Sequence, residues 1–467
     1  MNSIFRTKPI ESLISETKGK DSLNKALGPL ELTMLGVGAI IGTGIFVLTG
    51  VAAANYSGPA LILSFIVSGL ACTFAALCYA EFAAIVPVAG SAYTYSYAAL
   101  GEFWAWIIGW DLILEYMVAI GAVAVGWSAY ATHLFEAVGI NLPKVLTSSP
   151  LEGGIVNLPA ILIILVITCI LIIGVKESAR TNNIIVAIKL VVIVLFIVLA
   201  AGHVKPSNWH PFMPFGFKGV LSGAAIVFFA YIGFDAVSTA AEEVKNPQKD
   251  LPKGIVISLI ICTLLYIIVS AILTGVVPYL EYKNTAAPVA FALQQIGINW
   301  GSALVSVGAI CGITSVLLVM MFGQTRIFFA MSRDGLLPKA FGAVHHKFKT
   351  PVKSTILVGV ITMIIAGFVP IGDLAELTNI GTLAAFIIVS LGIVVLRYRR
   401  PDIKRGFKCP FVPVTPFISV IFCAVLIFML PMVTKIRFVV WFILGVIIYF
   451  AYSRKHSTMN NEDSETV

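Results

Sequence analysis

An all-helical, polytopic membrane protein of twelve spans is the fold class this sequence predicts, and three observations carry the prediction. Hydrophobic residues make up 59% of the 467-residue chain and charged residues only 12%, against roughly 25% charged in a soluble domain. Mean hydropathy is +0.98, more apolar surface than the polar residues of a soluble globule could cover. Apolar runs of span length recur from one end to the other.

The runs lie at about 30–54, 58–85, 97–131, 158–175, 180–203, 218–243, 254–277, 298–330, 352–369, 377–397, 411–430 and 434–452. Several exceed the roughly 20 residues that a span needs, so tilts or breaks are expected. Before the first run, residues 1–29 are polar and basic, with Arg6, Lys8, Lys18, Lys20 and Lys25 and no small-residue cleavage pattern. They read as a retained cytoplasmic tail, not a signal peptide. Residues 453–467 read as a second, shorter tail.

Lysine and arginine set the expected orientation. Twenty-four of the 31 fall on the side of the amino terminus, including Lys176, Arg180, Lys349 and the stretch RYRRPDIKRGFK at 397–408. Six fall on the other side and one, Lys189, lies inside a run. Both termini are therefore expected in the cytoplasm of a cell-membrane protein. The net charge of +8 is this bias, not a nucleic-acid footprint.

The chain also looks doubled. The first run is interrupted at GTG (42–44), and the sixth carries AYIGFDA (230–236) with Gly233 in a corresponding place. Five runs follow from each break, over 30–203 and 218–397, and 411–452 adds two more. Five is odd, so the halves would lie in opposite orientations, and paired interrupted helices are the sequence pointer to a transporter binding site.

Glycine costs about 1 kcal/mol relative to alanine inside a helix, and an unsatisfied backbone group in lipid costs several. A break at GAIIGTGIF (38–46) therefore needs something other than lipid to satisfy it, and an amino-acid zwitterion would do so. The amides of Gly42, Thr43 and Gly44 would face a carboxylate, and the carbonyls of Ile40 and Ile41 would face an ammonium. Close helix packing is the alternative, since Gly38 and Gly42 have GxxxG spacing. In the sixth run the carbonyls near Phe229, Ala230 and Ile232, freed by Gly233, offer a second half-site. Asp235 follows, either as a functional intramembrane charge or as a cap on the second half-helix.

Lys189 lies nine residues beyond Arg180, roughly 13–14 Å deep at about 1.5 Å per residue. Burial there disfavours the charged form of an amine, so Lys189 is a candidate proton carrier. The alternative is a standing partner for an acid, Glu115 above all. Asp111 and Glu115 in GWDLILEY (109–116) are four apart and share a helix face. Glu115 could balance Lys189 or meet a cationic substrate, whereas Asp111 suits a gate or a solvated position. Glu81 and Arg326 read as interfacial or gate charges. Met320 and Met321 could line a pocket or simply pack.

No nucleophile–base constellation or phosphate-cradling loop stands out, and GTGIF has no Rossmann unit around it. The seven cysteines form no CxxC pair. No cofactor and no metal are expected, and a proton is the expected coupling ion.

GAIIGTGIF, PVAGSAYTYSYAALGEFWAWIIGWDLILEY (87–116), FFAYIGFDAVSTAAEEVKNPQKDLP (228–252) and GQTRIFFAMSRDGLLP (323–338) together resemble the amino acid–polyamine–organocation (APC) superfamily. Within it they look most like bacterial members of the cationic amino acid transporter family. The resemblance spans nearly the whole chain. It implies a LeuT-like fold of two inverted five-helix repeats plus two helices, and an amino-acid permease, not an enzyme. It also implies carboxylate binding at Gly42–Gly44 and ammonium binding at Ile40 and Phe229–Ile232. Lys189 would stand where sodium-coupled relatives bind an ion. Small neutral and cationic substrates both stay open. So do two other classes: an amino-acid sensor that does not transport, and a chain that needs a small membrane subunit as partner.

Overall fold

The computed structural model describes residues 6–9, 27–88, 91–174, 179–348 and 350–459. Lys18, Lys20, Lys25, Lys176 and Lys349, counted above for orientation, lie outside the described residues. The described chain is helical from end to end. Seven helices are long and apolar enough to cross a membrane: Gly44–Ile85, Glu102–Ala137, Thr181–Ala201, Pro247–Val276, Asn299–Arg333, Ile371–Arg399 and Met432–His456. Five apolar helices are shorter: Pro29–Ile40, Leu158–Ile173, Gly216–Tyr231, Val352–Phe368 and Val414–Met429.

We number the principal helices α1 (Pro29–Ile40), α2 (Leu61–Ile85), α3 (Glu102–Ala137), α4 (Leu158–Ile173), α5 (Ala179–Ala201) and α6 (Gly216–Val227). They continue as α7 (Pro247–Val276), α8 (Asn299–Arg333), α9 (Val352–Phe368), α10 (Ile371–Arg399), α11 (Val414–Met429) and α12 (Met432–Ile448). Proline explains many of the starts, because its missing N–H is one that a first turn leaves unbonded anyway. Pro29, Pro247 and Pro288 occupy first-turn positions, and Pro351, Pro370, Pro413 and Pro431 immediately precede a helix. At α4 the Asn157 side chain accepts from the Ala160 amide at 3.3 Å, which satisfies one of the orphan donors. At α1 the Gly28 amide donates to the Glu31 carboxylate at 2.9 Å.

The packing divides the helices into two groups. One holds α1, α2, α6 and α7, with α7 laid against both α1 and α2. The other holds α3, α4, α8 and α9, with α3 against α8 and α4 against α9. Helix α5 touches both groups, and so does α10; α11 and α12 lie outside against α10. Helix α3 is the hub. Its 36 residues span about 54 Å, nearly twice the roughly 30 Å of a bilayer core, so it tilts or projects beyond it. The contrast in burial fits: 83% of its most apolar window is buried, against 17% for the last helix. Exposed Val, Leu, Ile and Phe on α5, α11 and α12 form the outward apolar face that lipid requires.

Glu81, read above as an interfacial or gate charge, is instead wholly buried at the end of α2. Its carboxylate accepts from Arg397 at 2.6 and 3.0 Å, from Arg405 at 3.1 Å and from the Cys409 amide at 2.7 Å. Those donors come from the end of α10 and the loop after it, so one acid ties α2, α10 and α11 together. Breaking a buried pair by removing one partner typically costs 3–5 kcal/mol. Because Arg405 and the Cys409 amide remain, Arg397→Ala should cost about 3 kcal/mol, read as a lowered thermal unfolding midpoint in detergent; an unchanged midpoint would contradict this account.

Candidate functional site

The two interruptions anticipated in the sequence are present. Helix α1 stops at Ile40, Ile41 turns extended (φ −75°, ψ 105°), and the chain resumes helical form in wide turns over Gly44–Leu48. The Phe46 amide bonds the Gly42 carbonyl at 3.3 Å, while the amides ahead of it are the ones that the first turn of a helix leaves without an intrahelical partner. Helix α6 passes into a tight turn at Phe228–Tyr231, Ile232 is extended (φ −61°, ψ 134°), and Gly233 has φ +116°. Only glycine takes that last conformation without strain.

The interruptions face each other backbone to backbone. A Cβ on Gly44 would collide with the Cα of Ala230, and a Cβ on Gly233 would come within 2.8 Å of the Ala39 carbonyl oxygen. Each break thus requires a glycine where the other approaches. The GxxxG pair has separate neighbours: Gly38 packs on Val186 of α5 and Gly42 on Val316 of α8. Thr43 sits against Gly126 of α3.

Side chains from neighbouring helices bond the carbonyls that the breaks release. The Tyr266 hydroxyl of α7 lies 3.1 Å from the Ile40 oxygen and 2.9 Å from the Ala230 oxygen, and its one proton serves either break. Lys189 of α5 donates to the Gly38 oxygen at 2.6 Å. That puts a cation at the carboxyl end of a half-helix, where the helix dipole favours it. Its aliphatic stem lies against Gly312 of α8, where a Cβ would be 2.9 Å from the Lys189 Cγ. Asn379 of α10 donates to the Ala225 and Ile226 oxygens at 2.7 and 3.1 Å. Tyr130 of α3 donates to the Phe46 oxygen at 2.7 Å.

Three buried carboxylates accompany the breaks. Glu115 and Asp111 face α10, where Gly381 leaves room for both. Asp111 Oδ1 and Glu115 Oε2 have no hydrogen-bond partner. Asp235 follows the second break and is also buried. Its side chain makes no capping bond to the short turn Ala236–Thr239, so the capping role weighed above is not the one it plays; its carbonyl, not its carboxylate, receives Ser238. Glu115 lies towards α10 while Lys189 reaches the Gly38 carbonyl, so the pairing of those two is not formed either. Asp111 is buried, not solvated.

Of the residues singled out in the sequence, the structure brings Ile40, Ile41, Gly42, Thr43, Gly44, Phe229, Ala230, Ile232, Gly233 and Lys189 to one place. Met320 follows Val316 by four residues and shares its α8 face. Arg326 stacks over Phe322, 4.1 Å from the ring centre. Tyr266 and Asn379 were not anticipated. Tyrosine in an apolar run reads as packing, although a buried tyrosine hydroxyl needs a partner; an asparagine inside a span was the signal available for Asn379.

The amino acid permease profile matches residues 27–452 of this chain. The chain belongs to the amino acid permease family. The branched-chain amino acid permease BcaP of Bacillus subtilis (strain 168) is 55% identical over 98% of this chain and 99% of its own length. The methylthioribose transporter of the same organism is 54% identical over 98% of this chain and all of its own length. The cationic amino acid transporter 4 of Homo sapiens is 39% identical over 85% of this chain and 62% of its own length. These relatives are transporters, not enzymes. This permease is accordingly an integral membrane protein, and its paired breaks meet at Gly44 and Gly233.

Two substitutions probe the permease's breaks. Gly44→Leu should force Ala230 away and abolish ligand binding, measured by ligand-dependent thermal shift. Tyr266→Phe should cost about 1–3 kcal/mol of stability, the penalty for a buried carbonyl left unbonded; a neutral effect would mean that the hydroxyl does not serve the breaks.

Proposed function

We propose that this protein is an amino-acid permease of the cell membrane that works by alternating access and is driven by protons. The observation that carries the reading is the meeting of two interrupted helices at one point, Gly44 against Ala230 and Gly233 against Ala39, so that the amide end of one half-helix and the carbonyl ends of the others converge. A zwitterion complements both: its carboxylate accepts from the amides of Gly42, Thr43 and Gly44 at a positive dipole end. Its ammonium donates to the carbonyls of Ile40, Ile41, Phe229, Ala230 and Ile232. A carbonyl has two lone pairs, so the bond from Tyr266 still leaves Ile40 and Ala230 able to accept another.

We place the side-chain end of the substrate beside Val316, which packs on Gly42, with Met320 one turn on and Phe229 and Ile232 at the second break. These apolar neighbours, together with the names of the branched-chain relatives, favour neutral aliphatic L-amino acids over cationic ones. Glu115 and Asp111, each with one oxygen unbonded, remain available to a cationic side chain, as the cationic transporters among the relatives keep in view. Methylthioribose is a second reading, since a relative of that name is almost equally similar; such a sugar has neither carboxylate nor ammonium to engage the breaks.

We read the architecture as twelve spans in two inverted five-helix repeats plus two helices. The α1, α2, α6 and α7 group, the α3, α4, α8 and α9 group, and the matching positions of α5 and α10 support that reading. The five shorter helices are then a half-span, a broken span or crossings of thinned bilayer. Both termini are placed in the cytoplasm on the lysine and arginine bias.

Lys189 is the proposed proton carrier. Protonated, it holds the Gly38 carbonyl at the end of α1; deprotonated, it holds it less firmly, so proton gain and loss bias how the inner half-helix sits. In proteoliposomes with separately imposed proton and sodium gradients, leucine, isoleucine and valine should accumulate with protons, ahead of arginine, lysine and methylthioribose. Lys189→Ala should abolish accumulation driven by pH while leaving counterflow exchange. Full proton-driven accumulation by that variant would sink the coupling assignment, and failure of every amino acid to accumulate or exchange would favour an amino-acid sensor.

A further inference from the structure

Two basic runs that are 150 residues apart in the chain meet on one surface. The loop after α10 is fixed from beneath, because Arg397, Arg405 and the Cys409 amide all converge on the buried Glu81. So anchored, the loop lies on the first turn of α7: a Cβ on Gly406 would come 3.1 Å from the Gln248 carbonyl oxygen and closer still to its side chain. That contact joins the exposed Arg399 at the end of α10 and the exposed Lys404 and Lys408 of the loop to the exposed Lys245, Lys249 and Lys253 around the start of α7.

The acids nearby do not balance this patch: against its six basic side chains stand Glu243 and Asp250 beside the start of α7. Asp402 is already bonded to Arg400 at 3.1–3.3 Å, and those hydrogen bonds hold its carboxyl below the usual range. Glu81 is consumed inside. Two large aromatic side chains flank the patch almost bare, Tyr398 at 80% and Phe411 at 84% exposure. Bare aromatics at the ends of spanning helices belong at the headgroup level, so the patch lies at headgroup depth and not out in solvent.

We infer that this surface is a binding platform for the headgroups of anionic phospholipids of the surrounding membrane. The phosphate and its negative charge are recognised by the lysines and Arg399, with Tyr398 and Phe411 set between the headgroups. The platform bridges α7, which packs on the interrupted α1, and the α10–α11 loop, so a bound lipid clamps helices from two parts of the bundle.

The test uses full-length protein in neutral detergent, titrated with fluorescent short-chain phosphatidylglycerol or phosphatidylcholine. The native chain should bind phosphatidylglycerol in clear preference to phosphatidylcholine. The triple variant Lys249→Gln, Lys404→Gln, Lys408→Gln should bind it about a hundredfold more weakly, given the usual contribution of a basic residue at an anionic surface. The same three positions changed to arginine should bind as the native chain does, which separates charge from fold. Millimolar inorganic phosphate should leave phosphatidylglycerol bound. Equal binding of the two lipids, an unaffected glutamine variant, a folded arginine variant that fails to bind, or displacement by phosphate would each overturn the inference. None of these readouts depends on which substrate the protein carries.

Discussion

A backbone carbonyl or amide that faces hydrocarbon without a partner costs several kcal/mol, and the centre of this protein is arranged around two places where the helix ladder stops. At each break at least one of the carbonyls released has been met by a side chain from another helix. Tyr266 reaches both interruptions from α7 with one proton to give, Lys189 bonds the first from α5, and Asn379 the second from α10. The breaks therefore dictate where those helices lie. They also explain the hub position of α3, whose Tyr130 and Gly126 contact the resumed outer segment of the first break.

Close approach of backbones is the second requirement, and it follows from the first. Two open ladder ends can form one polar space only if nothing bulky separates them. Gly44 and Gly233 provide that contact from opposite sides, each against the other break. Of these two glycines, it is Gly233 at which steric need and conformational need coincide, since its φ is +116°. At Gly44 the need is purely for space. In the reading proposed here the ligand chemistry of this chain is carried on backbone groups, which leaves selectivity to the apolar side chains nearby and to the buried acids.

Charge is treated differently at depth and at the membrane surface. Glu81 is buried with four donors on it and acts as a structural pin. Glu115 and Asp111 are buried with an oxygen each unbonded, the arrangement expected where a proton, a cation or a substrate group comes and goes. On the surface formed by the start of α7 and the α10–α11 loop, the lysines and Arg399 stay exposed. In the inference drawn above their value is in contacts with lipid headgroups, because water and salt weaken anything they could do for the fold alone.

Composition and run length were enough to place this chain in the membrane as a bundle of helices, since hydrophobic surface on that scale has no other solvent. Glycine in GTG and at position 233 marked the breaks, because an apolar helix has no local reason to hold them. Lys189 and Asp235 stood out for the same reason, as charges that hydrocarbon would not tolerate without a purpose. Partnership was the part hidden from the chain. That Lys189 meets Gly38 and not Glu115, that Asp235 caps nothing with its side chain, and that Glu81 lies under the α10–α11 loop depend on which helices lie side by side. The same holds for Tyr266 and Asn379, whose hydrogen bonds reach 36 to 226 residues along the chain and 153 or 154. Local sequence determines which backbone groups are released from a helix; only the packing of distant helices decides which side chain arrives to bond them, because a hydrogen bond is made by position in space and not by position in the chain.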